Sequence, residues 1–246
     1  MRSRHKRLTP RDAFLASYPR SGTTWLRFLL YETLTGESPE FGSIRAAVPS
    51  VGKQRGARPV LVGGGRLVQT HETYSHGDRL VLYVVRDPRR VALSEYFWQK
   101  RNRTYDGSLA AFVEDFCRGR SNPWGSWGAH VEFWRQSEPA GNSHLMIVRY
   151  EDLSRDTFEV FRRVVNFLGA NPEDDLVRAA IEHNCLHGMR SKEDAARRQG
   201  WRATARADIR FVNAGTGGYC EQLSDDETRL IERTFGSTMA SLDYLE

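Results

Sequence analysis

Cysteine is scarce in this chain. Cys117, Cys185 and Cys220 are its only three, none in CxxC spacing, and an odd count cannot close a disulfide framework. That excludes the stapled secreted scaffolds and suits a reducing, cytoplasmic setting. Long apolar runs are absent too: nowhere do about 18 such residues follow one another, so no segment is expected to insert into a membrane. The opening residues Met1-Arg2-Ser3-Arg4-His5-Lys6-Arg7 lack the apolar stretch of a signal peptide. Lysine is nearly missing, with Lys6, Lys53, Lys100 and Lys192 alone, so 32 of the 36 basic residues are arginines. An arginine where lysine is usual can therefore be a compositional habit.

What is present supports a real core: 39% of the 246 residues are hydrophobic and 11% aromatic. The formal charge of +5 invites a nucleic-acid partner, but its distribution argues against one. Arg2, Arg4, Lys6, Arg7 and Arg11 are five positive charges with no acid among residues 1–11; the remaining 31 basic residues meet 31 acidic ones. A groove for a phosphate backbone carries its basic excess on the fold itself. Residues 1–11 are therefore expected to be a flexible, solvated tail, and 12–246 a single domain with no nucleic-acid role.

Strand and helix patterns alternate along that domain. Asp12–Ser17, 67–70, 80–85 and 144–149 read as buried strands, and 80–85 is the continuous apolar run of a central parallel strand. Helical patterns occupy 23–35, the residues after Pro88, and about 109–118, 127–137, 155–168, 172–184 and 224–235. Residues 37–66, rich in Gly, Pro and Ser, are expected to be an ordered loop. The pattern predicts an α/β fold, a central mostly parallel sheet flanked by helices.

Chemistry concentrates at three strand ends. Tyr18-Pro19-Arg20-Ser21-Gly22-Thr23-Thr24-Trp25 joins the first strand to the first helix. Backbone N–H groups and the helix dipole converge on an anion at such a turn; Gly22 permits close approach, Ser21, Thr23 and Thr24 add hydroxyls, and Arg20 adds charge. The turn is P-loop-like without the GxxxxGK[ST] spacing. At the end of the 80–85 strand, Arg86-Asp87-Pro88 opens a helix, placing Arg86 in the crevice with Ser94 about two turns on. His71, in Gln69-Thr70-His71-Glu72, follows the 67–70 strand at the same end. An imidazole there suits a general base at neutral pH better than the adjacent Glu72, whose ordinary pKa lies further away.

These three motifs resemble those of sulfotransferases that use 3′-phosphoadenosine 5′-phosphosulfate (PAPS). The octapeptide is similar to the family's 5′-phosphosulfate loop, with Arg20 where lysine is usual. The resemblance implies that Arg20, Ser21, Gly22, Thr23, Thr24 and Trp25 hold the 5′ end, with Arg20 stabilising the leaving phosphate. It implies that Arg86 and Ser94 hold the 3′-phosphate and that His71 deprotonates the acceptor hydroxyl. Gln69 stands in place of the family's lysine. Tyr150, in Tyr150-Glu151-Asp152-Leu153, resembles the tyrosine beside the adenine. Trp124-Gly-Ser-Trp127 with His130-Val131 and Trp134 resembles a further family segment, read here as helix packing. Asn184–Met189 and Phe211–Gly218 stand where the family has an aromatic near the base and a basic loop over the 3′-phosphate; Arg206 or Arg210 would have to compensate for the latter.

The resulting expectation is a cytoplasmic enzyme moving a sulfuryl group from PAPS to a hydroxyl of a small-molecule, lipid or glycosylated acceptor, releasing 3′-phosphoadenosine 5′-phosphate (PAP). Its arginine bias is associated with a GC-rich bacterial source. No metal is expected: His183 and His187 have helical i, i+4 spacing but no third ligand. Ten aromatics between Tyr96 and Trp134 suggest, with segment 37–66, an apolar acceptor pocket. The alternatives are a P-loop-type nucleotide kinase and a non-catalytic nucleotide-binding relative.

Overall fold

The protein is described by a computed structural model covering residues 4–74, 77, 79–137, 144–201, 212 and 223–245. Strand β1 (Ala13–Ser17) leads into helix α1 (Thr23–Thr35), and a short α2 (Ile44–Ala47) precedes β2 (Leu67–Thr70). Strand β3 (Val81–Val85) is followed by α3 (Pro88–Arg101), α4 (Leu109–Cys117) and α5 (Trp127–Gln136). Beyond β4 (Leu145–Arg149) come α6 (Tyr150–Arg155), α7 (Thr157–Phe167), α8 (Asp174–His183), α9 (Leu186–Arg198) and α10 (Asp225–Ala240).

The strands form one sheet in the order β2-β1-β3-β4, every pairing parallel. Phe14 pairs with Val68 on one side and Val81 on the other, so β1 is central. Both faces are covered, and this is why β3 and the first four residues of β1 carry no charged side chain. Leu15, Leu82 and Val84 pack with Leu26, Leu29 and Leu30 of α1 and Phe161, Val164 and Val165 of α7. Phe14, Tyr83 and Val85 on the opposite face pack with Phe112 and Phe116 of α4, Trp127 and Trp134 of α5, and Phe235 of α10.

Local chemistry sets several boundaries. Gly36 ends α1 in the left-handed conformation, φ 72°. Pro88 occupies the first turn of α3, and the Asp87 carboxylate accepts the Arg89 backbone N–H. The helix expected over about 155–168 is α7, and a separate short α6 precedes it because the Asp156 side chain caps a new start at Thr157. Helix α9 was not anticipated; it is mostly polar, and Met189 and Ala196 are its buried apolar anchors. Segment 37–66 is ordered, as expected: Val51 N–H donates to Gln69 O and Gln69 N–H to Pro49 O, both at 2.8 Å, so the chain runs beside β2.

The basic N-terminal segment differs from the solvated tail expected of it. Arg4 donates to Val51 O at 3.0 Å and pairs with Glu72 at 2.7 Å. His5 is buried and stacks on Tyr74 with ring centroids 3.7 Å apart. Gln54 Nε2 donates to the carbonyls of Arg4 and Lys6. Charge counting could not foresee these internal partners. Among the described residues no helix is long and apolar enough to cross a membrane.

Candidate active site

A cavity of about 650 Å3 opens where β1, β2 and β3 end, the place where parallel sheets bind ligands. Its wall includes Arg20, Gly22, Thr23 and Thr24 from the turn after β1, His71 from the end of β2, and Arg86, Ser94 and Tyr150. Side chains singled out from separate stretches of sequence thus face one space.

The turn is built tightly. Gly22 has φ 93°, and a Cβ there would overlap Cδ2 and Cε2 of the Tyr150 ring, so glycine is needed both for conformation and for space. Arg20 also has positive φ, 68°, an arrangement costing of order 1 kcal/mol in a non-glycine residue. Thr23 Oγ1 lies 2.6 Å from Ser17 Oγ, fastening the start of α1 to β1. Ser21 is fully buried rather than exposed to the cavity, and its hydroxyl has no hydrogen-bond partner among the described residues. Trp25 is not in the cavity wall. Its indole N–H donates to Asn184 O at 2.8 Å, and its ring meets Tyr150 edge-on at 6.0 Å.

The two arginines expected at opposite ends of a nucleotide lean on a common frame. Arg86 Nη1 donates to Arg20 O at 3.0 Å, and the Arg86 guanidinium lies 4.5 Å over the Tyr150 ring. Arg20 Nε donates to Ser94 Oγ at 3.2 Å. Burial pulls the Arg86 pKa below the usual arginine value, and its Nε has no partner among the described residues. Such a desolvated cation favours an incoming anion. Among the described residues Glu95 is the single carboxylate in this wall, and burial pushes its pKa upward.

His71 is fixed through its backbone and its ring. Nδ1 lies 2.7 Å from Ser17 O; a carbonyl only accepts, so Nδ1 carries the hydrogen and Nε2 the lone pair. Desolvation by burial brings the His71 pKa down to about 4, and the ring is neutral at physiological pH. The His71 carbonyl is held in turn by His130 Nε2 at 3.0 Å, while His130 Nδ1 accepts from Tyr83 OH at 2.9 Å. His130 is a positioning residue that the sequence reading left as packing; its place beside Trp127 on α5 was the available signal. Glu72, weighed as the alternative base, points elsewhere. It is buried beside Arg4 at 2.7 Å and His5 at 3.5 Å and does not line the cavity.

Other expectations are revised. Tyr96, Phe112, Phe116, Trp127 and Trp134 belong to the core, and of the ten aromatics between Tyr96 and Trp134 just Trp98 and Trp124 reach the cavity. Segment 37–66 contributes Arg45, Ser50 and Lys53, a polar and basic wall in place of the apolar one anticipated. Gln69 is not isolated: its Oε1 accepts from Arg27 Nη2 at 2.9 Å and Ser50 Oγ at 2.8 Å. Arg27 was missed, although an arginine amid Trp25, Leu26, Phe28, Leu29 and Leu30 is itself a signal of a buried polar task. His183 and His187 lie on different helices, and His183 Nδ1 binds Glu32 at 2.6 Å. Among the described residues no three His, Cys, Asp or Glu side chains gather as metal ligands do. The loop Phe211–Gly218, with Arg206 and Arg210, lies outside the described residues save Val212.

The fold is that of an α/β protein with a cation-lined cavity at the ends of its parallel strands. A sulfotransferase domain profile matches residues 10–243, and the chain belongs to that family. Human sulfotransferase 4A1 is 29% identical over 190 residues, 71% of this chain and 65% of its own length; human sulfotransferase 1E1 is 27% identical over 200 residues, 74% and 67%. The alignment thus spans just under two thirds of the former relative. Among solved structures, retinol dehydratase in complex with androsterone and the inactive cofactor PAP superposes with a TM-score of 0.73 at 19% identity, covering 94% of this chain and 81% of that one. Mouse sulfotransferase SULT7A1 complexed with PAP gives 0.66 at 19% identity, covering 94% and 85%.

Proposed function

We propose that the protein is a PAPS-dependent sulfotransferase acting on a hydroxyl of a small-molecule acceptor, with His71 as general base. The observation that carries this reading is the meeting of Arg20, Gly22, Arg86, Ser94, Tyr150 and His71 in one cavity. The residues fit the cofactor: a tight left-handed Gly22, two desolvated or strained arginines and an unpartnered Arg86 Nε offer more positive charge and donors than the wall itself uses. Bound PAPS would supply an activated sulfuryl group.

In this reading Arg20 and the N–H groups of residues 21–24 hold the 5′ end, and Arg86 with Ser94 the 3′-phosphate. Tyr150 flanks the base, with Trp25 behind it and Ser21 contributing through the backbone of the turn. His71 Nε2 takes the hydroxyl proton as the acceptor oxygen bonds to sulfur and the sulfur–phosphate oxygen bond breaks. Arg20 balances the charge left on the phosphate. The Nδ1–H to Ser17 bond keeps the ring in the tautomer this needs. A cytoplasmic setting suits the free thiols of Cys117 and Cys185.

Calorimetric titration with PAP and with ATP plus Mg2+ tests the reading: PAP should bind tightly, and binding of ATP alone would favour the kinase alternative. His71→Ala should lower sulfuryl transfer by about 100-fold or more while leaving PAP affinity within about threefold. Loss of both to the same degree would remove His71 from the base role, and PAP binding without transfer to any acceptor would leave a non-catalytic relative.

A further inference from the structure

The cavity carries a second group of cations that the nucleotide motifs do not account for. Arg27, Arg45 and Lys53 line it together with Gln69 and Ser50. Their position follows from topology. Arg86 leaves β3 and Arg20 leaves β1, whereas His71 leaves β2, the edge strand of the sheet. Segment 44–54 runs outside β2, bridged to it at Ser50 and Gln69. Crossing the crevice, one therefore passes Arg86, Arg20 and His71, and then reaches the second group. It lies beyond the base, on the side away from the 3′-phosphate motif.

This group is uncompensated. Among the described residues no carboxylate pairs with Arg27, Arg45 or Lys53, in contrast to the half-buried Arg66, which pairs with Asp12 at 2.6 Å. Arg27 is buried to 7% exposure, its Nη2 is held by Gln69 Oε1 and Ser50 Oγ, and its Nε has no hydrogen-bond partner among the described residues. Burial, with the Arg45 charge adding, lowers its pKa to about 10. A protein keeps a desolvated guanidinium fixed by neutral amide and hydroxyl groups at a cost, and an anion docking on it recovers that cost. Arg45 and Lys53 are exposed and extend the same charge to the rim.

We propose that Arg27, Arg45 and Lys53 form an anion-binding subsite for the acceptor, so that the preferred substrate is a hydroxyl compound that also bears a carboxylate, phosphate or sulfate group. The inference rests on the sulfotransferase reading and deepens it. The anionic group docks on the β2 side while the hydroxyl faces His71, and the charges set orientation as well as affinity.

Two measurements test this, using the PAP- or PAPS-loaded protein. Inorganic sulfate and phosphate are titrated into the PAP-saturated protein, followed through tryptophan fluorescence, in wild type and in an Arg45→Gln/Lys53→Gln variant; both positions are exposed, so folding is spared. The expected result is saturable binding of at least one anion, weakened about tenfold or more in the variant. Transfer is then compared for matched acceptor pairs, a neutral alcohol or phenol against its carboxylated, phosphorylated or sulfated counterpart. Wild type should favour one charged class by about tenfold in kcat/KM, and the variant should lose that preference. The class favoured identifies the anion. Equal use of neutral and charged partners, or anion binding indifferent to the double substitution, overturns the inference while leaving the sulfotransferase reading intact. A fall in PAP affinity as large as that in sulfate affinity assigns the cluster to the nucleotide and also overturns it. Failure of wild type to bind PAP overturns both.

Discussion

At the residue scale, His71 shows how burial and a single backbone contact set both the availability and the direction of a proton acceptor. Its folded pKa is pushed down to about 4 by desolvation, against an ordinary value of 6.5. A lowered histidine pKa means that the neutral, proton-accepting form persists as pH falls and is lost only as pH drops through the folded value. For the free enzyme, kcat/KM should therefore hold from neutral pH down to about 5 and fall with a midpoint near 4. A steady-state pH profile checks this; a midpoint near 6.5 would show that the ring is better solvated than its surroundings indicate. The same scale shows what the sequence concealed. Arg86 and His71 were legible because each directly follows a strand, and Arg20 and Gly22 because they stand in the short turn between β1 and α1. Arg27 and His130 sit inside helices, and their tasks depend on which neighbours tertiary packing supplies.

At the scale of elements, the order of strands and helices was readable because apolar runs and caps are local properties. The chain's partners across space were not. Asp12, the residue before β1, illustrates the difference: its carboxylate, 2% exposed, accepts from Arg66 Nη2 at 2.6 Å, from Arg66 Nε at 3.0 Å and from the N–H groups of Thr9 and Arg66. Burial alone would raise its pKa, but the Arg66 and backbone donors outweigh burial and hold it below the ordinary 3.8. The pair ties the start of β1 to the start of β2, the two strands that lead into the turn and His71. Asp12→Ala should destabilise the protein by about 3 kcal/mol, because it strands a mostly buried guanidinium. Thermal unfolding should show a clear drop in Tm, and Asp12→Asn a smaller one. Since the folded pKa is depressed, this contribution is complete above about pH 4 and disappears as pH falls further. Helix α9, by contrast, escaped notice because its buried stripe is narrow and its remaining surface polar.

For the whole molecule, the formal charge of +5 conveys little until its partners are located. Arg4 of the basic N-terminal segment is paired with Glu72 and the Val51 carbonyl, while the cavity gathers Arg20, Arg27, Arg45, Lys53 and Arg86 against one carboxylate among the described residues. A concave, cation-rich site in a low-dielectric wall attracts anions over distance. The association rate of PAP should therefore fall severalfold between about 20 and 300 mM salt, with a smaller effect on dissociation. Stopped-flow measurement at several ionic strengths would reveal a salt-independent rate if steering were unimportant.

The contact between Arg4 and Glu72 has a consequence for acid–base control. Glu72 is covalently next to His71, and an uncompensated carboxylate so near would stabilise the imidazolium and draw the ring toward holding its proton. Arg4 lies 2.7 Å from that carboxylate and places a counter-charge on it, beside the ring's own neighbour in the chain. The N-terminal segment, which precedes every strand, thereby supplies the counterion of the carboxylate next to the proposed base.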